Sequence, residues 1–533
     1  MTINSLGAQS TAVNESGGST RIGLRASLRY AWPQVWPLLA VALLLRLFFL
    51  LVGAEFYYAG RQVDIHINGD SYSYIFSLHN LLNYGRYTFD FAEPDAAVGR
   101  LPGYPFFYGL HYLIFGYKQV LLAVSVTQVV LDTLGIWLIF VITAKLAPPT
   151  SWAPLLAALV LTFYPFSVVW VPIIGTETLG LFLVLLWWAT LLVGRPTTLN
   201  WVLLGMLVAI IVYVREFLGV CLAVTLFYLL VISRRTPARF GRLRPAGFVL
   251  AGFLSLYIWW PVRNYITLGR FIPLKPVAAG YANLREDTQA ALAWMLTWTN
   301  DVTMAFDTIL LAPKPSFPEY VISTAAEKQL LDSLVVLSRS CASSFHTHIQ
   351  PYKPSFKPGS GGSGPQLYGG ALRHAALRYN NCNSQVSAGF HRLRASYIQR
   401  HPVRARLEVP LQNFQKIIFK NQFKAIAGKP LTVAQRVSAV LFTWRSILLV
   451  LGLAGAWRYR RLPGLWPAVL FTAIIFGYMA VIFRSLEMRY LLQADIVMLV
   501  PAALLLASWL PRRWSRPASA VTEAVPAELA IEQ

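Results

Sequence analysis

Apolar residues in this chain come in blocks of about twenty, the length a helix needs to cross a bilayer, and this constrains the fold more than any other feature. The blocks run from Pro33 to Gly53, Gln119 to Ala144, Trp152 to Trp170, Leu179 to Val193 and Trp201 to Val214. They continue from Phe217 to Ile232, Ala246 to Val262, Ser438 to Trp457, Leu465 to Phe483 and Leu491 to Leu510. The expected class is an all-α polytopic membrane protein of about ten helices. Composition agrees: 56% of residues are hydrophobic and 13% charged, where a soluble domain carries about 25% charged. Arg21, Arg25 and Arg29 precede the first block, which is too long for a cleavable signal core and has no small-residue cleavage site after it, so it is expected to stay as an anchor.

The net charge of +23 does not read as nucleic-acid binding, because Lys and Arg are spread through short connections and not gathered into a basic module. Threading the blocks from a cytoplasmic N-terminus puts Lys145, Arg195, the run from Arg234 to Arg244, Arg458, Arg460, Arg461, Arg512 and Arg513 on one side, as the positive-inside rule requires. Arg484 and Arg489 are the exceptions. Both termini are then cytoplasmic, in tails 1–29 and 512–533, of a protein in the plasma (inner) membrane. A transmembrane module, 30–263, contains a first outer loop, 54–104; a large outer loop, 264–431, precedes the C-terminal helices, 432–511. The segment from Asn264 to Leu431 holds 19 Lys and Arg against 8 Asp and Glu, a surface that attracts anionic phospholipid heads or acidic polysaccharide in a salt-screened way.

Polar residues concentrate in the first outer loop: Asp64, His66, Asp70, Ser71, Tyr72, Tyr74, Arg86, Tyr87, Asp90, Glu93 and Asp95, then Arg100 to Pro105. Tyr74, Leu78, Leu81 and Leu82 fit one face of a short amphipathic helix that would hold Asp70 at the membrane surface. The large loop has turns at Pro313, Pro315 and Pro318 and a Gly/Ser tract from Gly359 to Gly364. Near its end Leu407, Leu411, Phe414 and Ile418 repeat at helical spacing, with Lys416, Lys420 and Lys424 on another face, which predicts an interfacial helix. Cys341 and Cys382 share this loop and can form a disulfide if it lies in an oxidising compartment. Neither the cysteines nor the histidines have zinc-ligand spacing, and His346 with His348 reads as a solvated pair.

In chain order stand Gly69-Asp70-Ser71-Tyr72, Asn80-Leu81-Leu82, Gly85-Arg86-Tyr87, Arg100-Leu101-Pro102-Gly103-Tyr104-Pro105 and Thr176-Glu177-Thr178. They are followed by Trp260-Pro261-Val262-Arg263-Asn264-Tyr265 with Gly269 and Pro273, then His401-Pro402 and Arg489-Tyr490. With this order and topology the chain resembles GT-C class membrane glycosyltransferases, in the bacterial branch related to protein O-mannosyltransferases and aminoarabinose transferases (glycosyltransferase family 39-like). The resemblance implies hexosyl or pentosyl transfer from a polyprenyl-phosphate sugar donor to a lipid, glycan or protein acceptor, at a site facing outward. It implies that an acidic residue of the first outer loop, here Asp70, is the catalytic base. The mannosyltransferase branch has an Asp-Glu pair where this chain has Asp70-Ser71, which leaves sugar and acceptor open. No cofactor is required, and a divalent cation stays open.

Inverting transfer needs a carboxylate that takes the acceptor's proton, and desolvation would raise the basicity of Asp70. Cations must stabilise the leaving lipid phosphate; Arg100, Arg263 and Arg489 are the donor-phosphate candidates, against a plain reading as snorkelling side chains. Tyr72, Tyr104 and Tyr490 are the substrate-contact candidates. Glu177 is either a second catalytic carboxylate or a partner for a nearby Arg, because a lone carboxylate in a span is costly. Arg46 and Asp132 are expected to pair, while Arg445 has no partner nearby in sequence. The alternative readings are a polytopic transporter, disfavoured by the lack of an internal repeat, and a lipid-carrier-binding protein without catalysis.

Overall fold

The apolar blocks are helices that gather around one buried core. The computed structural model describes residues 24–59, 64–91, 94–148, 151–232, 239–275, 286–300, 305, 309–312, 315–341, 382–419, 432–484 and 487–510. Among them the one β-type contact is a bridge between Asp64 and Ile67. In the first half the helices are α1 (Leu24–Phe48), α2 (Ala54–Tyr58), α3 (Ser71–Tyr84), α4 (Gly103–Leu146), α5 (Ala153–Thr162) and α6 (Pro165–Val168). Next come α7 (Thr176–Val193), α8 (Thr198–Val214), α9 (Val220–Phe227), α10 (Arg239–Tyr257) and α11 (Trp259–Leu268). The second half holds α12 (Glu286–Met295), α13 (Ala325–Ser340), α14 (Asn383–Arg400) and α15 (Val409–Ile418). The chain ends in α16 (Val433–Arg458), α17 (Trp466–Gly477), α18 (Met488–Val497) and α19 (Leu499–Trp509).

Among the described residues six helices are long and apolar enough to cross a membrane: Pro33–Tyr58, Gly103–Leu146, Thr176–Val193, Leu243–Leu268, Gln435–Arg458 and Pro463–Phe483. The pair α18 and α19, bent by 44°, makes a seventh if it counts as one span. Three shorter apolar helices, Ala153–Thr162, Thr198–Val214 and Glu216–Leu230, fall on the remaining blocks. The chain is an all-α, multi-pass membrane protein.

Boundaries depart from hydropathy where backbone chemistry intervenes. The first helix runs on to Tyr58, five residues past Gly53. The second starts at Gly103 and bends at Gly116, whose φ of 66° is easy only for a residue without Cβ. The third block breaks after Thr162, because Pro165 forces Tyr164 into extended backbone (φ −81°, ψ 101°). The carbonyls this break exposes are met by Arg46, which donates to Thr162 O (3.0 Å) and Leu161 O (3.2 Å) while pairing with Asp132 at 2.5 Å. A charge carried into a span is thus neutralised and spent on a broken helix end.

Helices α8 and α10 cross closely: Gly205 faces Val249 O and Gly252 faces Val202 O so nearly that a Cβ at either would collide with the opposing backbone. A second buried ion pair links the C-terminal helices: Arg445 grips Asp495 with two bonds of 2.7 Å and donates to Ile417 O at 2.7 Å. Ile417 belongs to α15, so this arginine also anchors the predicted interfacial helix. That helix buries Val409, Asn413 and Ile417; of the apolar face seen in the sequence, Leu411 and Phe414, with Leu407 just before the helix, are exposed, while Ile418 is half-buried against the core. Such an arrangement suits a helix lying in a lipid interface. Lys420, Lys424, the Gly/Ser tract, Pro313, His346 and His348 lie outside the described residues.

The long connection carries its own small core, in which Trp294 and Met295 of α12 pack with Leu331 and Leu334 of α13 and Phe390 and Tyr397 of α14. A disulfide joins Cys341, at the end of α13, to Cys382, which precedes α14.

Candidate active site

The starts of α3, α4, α7 and α18 and the end of α8 meet at one end of the bundle, bringing together Asp70, Arg100, Glu177, Arg215, Arg489 and Tyr490. Asp70 stands at the N-cap of α3 but makes no capping bond. Asn68 Oδ1 takes over that task, accepting from the amides of Asp70 (2.9 Å) and Ser71 (3.1 Å), so the Asp70 carboxylate is free to point elsewhere. One of its oxygens accepts from Arg100 Nη2 at 2.6 Å and the other from Arg489 Nη1.

Arg100 is locked from behind: its Nε donates to Ser73 Oγ (2.6 Å), its Nη1 to Tyr74 Oη (3.1 Å), and its guanidinium lies 4.3 Å from the Tyr74 ring centre. Arg489 is held more loosely. It pairs with Glu487 at 2.6 Å and donates to Tyr490 Oη at 3.2 Å. The Asp70 side chain keeps 32% of its surface accessible, and that of Glu487 50%. The opening therefore lies on the Arg489 side.

Burial alone would push the Asp70 carboxyl up, but the Arg100 and Arg489 guanidiniums beside it outweigh burial and hold it well below the usual carboxylate range. Desolvation does act to raise its basicity, as expected, but two cations on one carboxylate outweigh it and stabilise the charged form.

Glu177 lies at the start of α7, buried, and is held by Arg215 Nη2 at 2.8 Å. Arg215 also donates to Arg489 O at 3.2 Å, so this pair fixes the backbone from which Arg489 reaches Asp70. Of the two sequence readings of Glu177, the geometry matches the partner of an arginine. Tyr104 is 0% exposed; its hydroxyl donates to Gln128 Oε1 (3.0 Å) and accepts from Gly175 N (2.9 Å). That burial corrects its placement among substrate contacts: Tyr104 pins α4 to the segment entering α7. Arg263 likewise turns to backbone, donating to Ala97 O (2.7 Å) and Tyr87 O (3.0 Å) beside the Trp260 ring, so it clamps the first connection and is not turned toward Asp70. Tyr490 is partly accessible and borders Phe217 and Phe483. Tyr72 stacks near Phe76 with ring centres 6.0 Å apart, and burial raises its hydroxyl above the ordinary value.

Three participants escaped sequence reasoning. Glu487 stands in a short connection and belongs to no motif. Lys275, which pairs with Glu216 at 3.3 Å, stands two residues past Pro273 and had no motif of its own; its available signal was Glu216, a carboxylate at a span boundary in need of a cation. Asn68 was hidden because its task is to hold a turn. Among the described residues no three His, Cys, Asp or Glu side chains gather into a metal-holding group.

No family model matches the chain, and no curated protein matches it. Solved structures are similar to it. The oligosaccharyltransferase AglB from Archaeoglobus fulgidus, in complex with an inhibitory peptide and a dolichol-phosphate, aligns over 90% of this chain and 50% of its own at 12% identity and a TM-score of 0.46. An oligosaccharyltransferase from Archaeoglobus fulgidus in complex with Zn and sulfate aligns over 92% of this chain and 51% of its own, at 11% identity and a TM-score of 0.46. ArnT from Cupriavidus metallidurans, bound to undecaprenyl phosphate, aligns over 89% and 78%, at 14% and 0.35. The chain spans about half the length of the archaeal structures it matches.

Proposed function

We propose that this protein transfers a sugar from a polyprenyl-phosphate donor to an acceptor at the extracytoplasmic membrane face, with Asp70 as the base. The reading rests on one observation above the rest: a half-open carboxylate bridged by two arginines where four helix starts meet, in a chain whose motif order resembles GT-C transferases.

The bridge suggests how donor binding and basicity are linked. An arriving lipid phosphate competes for Arg489 first, since that guanidinium borders the opening while Arg100 is locked by Ser73 and Tyr74. As Arg489 turns to the phosphate, Asp70 loses one of the two cations that suppress its proton affinity. The acceptor then gives its proton to Asp70, its nucleophilic atom bonds to the anomeric carbon, and the bond from that carbon to the phosphate oxygen breaks. The electron pair leaves with the lipid phosphate, whose charge Arg489 holds. The configuration at the anomeric carbon inverts in this single displacement. Glu177 and Arg215 act as positioning residues, and Arg263 holds the first connection over the site. Each oxygen of Asp70 accepts from one guanidinium and keeps a further lone pair, so a divalent cation at this carboxylate would sit beside two arginine charges.

The test is transfer of labelled sugar from a panel of polyprenyl-phosphate donors in membranes holding the native chain or Asp70→Asn at matched abundance. Native transfer that falls by about a hundredfold or more in the variant supports the base. Transfer that survives in Asp70→Asn moves the base to another group, and uptake or export of a solute with no transfer would favour a transporter.

A further inference from the structure

Two arginines stand against the positive-inside pattern, Arg484 and Arg489. Arg489 lies on Asp70, whereas Arg484, five residues earlier in the same short connection, has no part in the transfer proposed above. Its backbone is unusual: φ is 56°, the one positive value among the described residues other than glycines. It follows the π-helical turn Tyr478–Phe483 that extends α17, and its amide closes that turn by donating to Met479 O at 2.9 Å. A helix end of this left-handed kind ordinarily takes glycine. An arginine there carries a steric cost, which points to a task for its side chain.

That side chain reaches three backbone carbonyls on three elements. Nε donates to Val481 O (2.7 Å) on its own turn, Nη1 to Leu296 O (2.7 Å) just past α12, and Nη2 to Ala405 O (3.2 Å) between α14 and α15. Ala405 and Met295, the neighbour of Leu296, both belong to the small core of the long connection. Close by, Asn413 of α15 donates to Ala480 O at 3.2 Å, a second tie between that connection and the same turn. Farther along, the backbone of Arg489 is held by Arg215, which donates to its carbonyl. The connection that carries Arg489 is thus fastened at one end to the buried Glu177–Arg215 pair and at the other to the core of the long connection.

We infer that Arg484 is a positioning residue for the transfer, through which the packing of the long connection's core sets how Arg489 stands between Asp70 and a lipid phosphate. Its catalytic meaning rests on the transferase reading. Arg489 must reach Asp70 in the resting chain and the phosphate in the loaded one, and a misplacement of about 1 Å can cost about a hundredfold in rate. Charge-assisted bonds at Arg484 limit that misplacement without touching either partner.

The test compares the native full chain with Arg484→Gly in lipid nanodiscs, by hydrogen exchange over the first turn of α18 and by affinity for undecaprenyl phosphate. Glycine suits a φ of 56°, so this variant removes the side-chain bonds and keeps the end of α17. Amides at the start of α18 should exchange about tenfold faster, with those of α7 unchanged. Lipid-phosphate affinity should fall about tenfold, and Arg484→Lys, one ammonium in place of a fork, should fall between. A merely structural arginine would lower the melting temperature and leave the affinity of folded molecules as it was. Trp294→Ala, which opens the small core, should weaken lipid-phosphate binding in the native background and add less than about twofold in Arg484→Gly. Unchanged exchange at α18, unchanged affinity in Arg484→Gly, or equal effects of Trp294→Ala in both backgrounds would each overturn the inference. The transferase reading survives those results as long as the native chain binds undecaprenyl phosphate; a native chain that does not bind it removes that reading and leaves exchange to decide the link.

Discussion

Arg445 offers a stability test whose size follows from its surroundings. Its side chain is 1% exposed and that of Asp495 3%, and the two share bonds of 2.7 Å. Arg445→Met leaves Asp495 as a buried carboxylate with only a long contact from Tyr164 Oη, at 3.4 Å. Stranding one member of a buried pair costs about 3–5 kcal/mol, and a lone charge inside a span costs about 2.5–3.5 kcal/mol on insertion scales; a loss of about 3 kcal/mol is expected. The double variant Arg445→Met/Asp495→Leu removes both charges and forfeits only the bond to Ile417 O and the contact with Tyr164, about 1–2 kcal/mol. It should therefore be more stable than the single variant, although it carries more changes. The assay is reversible unfolding by SDS in mixed micelles, followed by Trp fluorescence. A double variant no more stable than Arg445→Met, or a single variant equal to the native chain, would refute the reasoning.

His79, in α3, is buried beside Tyr108 and Tyr112, and burial pulls its ring down to about 4, against about 6.5 in an unfolded chain. Protonation thus favours the unfolded chain; the stability is present above about pH 6.5 and fades as pH falls toward 4, by about 2 kcal/mol at pH 5. Melting of the native chain should drop over that window more than melting of His79→Gln, and parallel curves would contradict it. Reducing the Cys341–Cys382 bond, which closes 41 residues of chain, should cost the long connection about 4 kcal/mol in the chain-entropy model, read as protease sensitivity that rises with reductant. Glu487→Gln removes the carboxylate resting on Arg489 and should tighten undecaprenyl phosphate binding by about threefold to tenfold; unchanged or weaker binding would show that Glu487 does not compete with the phosphate.

The all-α class and the order of the apolar helices were legible because lipid demands long apolar runs, and that demand is local in sequence; of the ten expected spans, six or seven are long enough as helices to cross a membrane among the described residues. The break at Pro165 was also written in the chain, but mean hydropathy averages over it. Asp70, Arg100 and Arg489 each stood out singly. What the sequence could not show was that Arg100 and Arg489 share one carboxylate, since 419 residues separate Asp70 from Arg489. For the same reason Arg445 looked partnerless: Asp495 lies 50 residues away, inside another apolar block. Tyr104 and Arg263 were misjudged because a motif marks importance without separating a residue that touches substrate from one that holds a neighbour. The drop in Asp70 basicity was unreadable too, because it depends on how many cations reach the group and not on its place in a loop.

The central claim is that Asp70 and the incoming phosphate compete for Arg489, and binding separated from turnover tests it most directly. Undecaprenyl phosphate affinity and sugar transfer would be measured side by side for the native chain, Asp70→Asn and Arg489→Met. The account predicts that Asp70→Asn binds the lipid phosphate at least as tightly as the native chain yet transfers nothing, whereas Arg489→Met loses binding and transfer together. Weaker lipid-phosphate binding in Asp70→Asn, or unchanged binding in Arg489→Met, would contradict it.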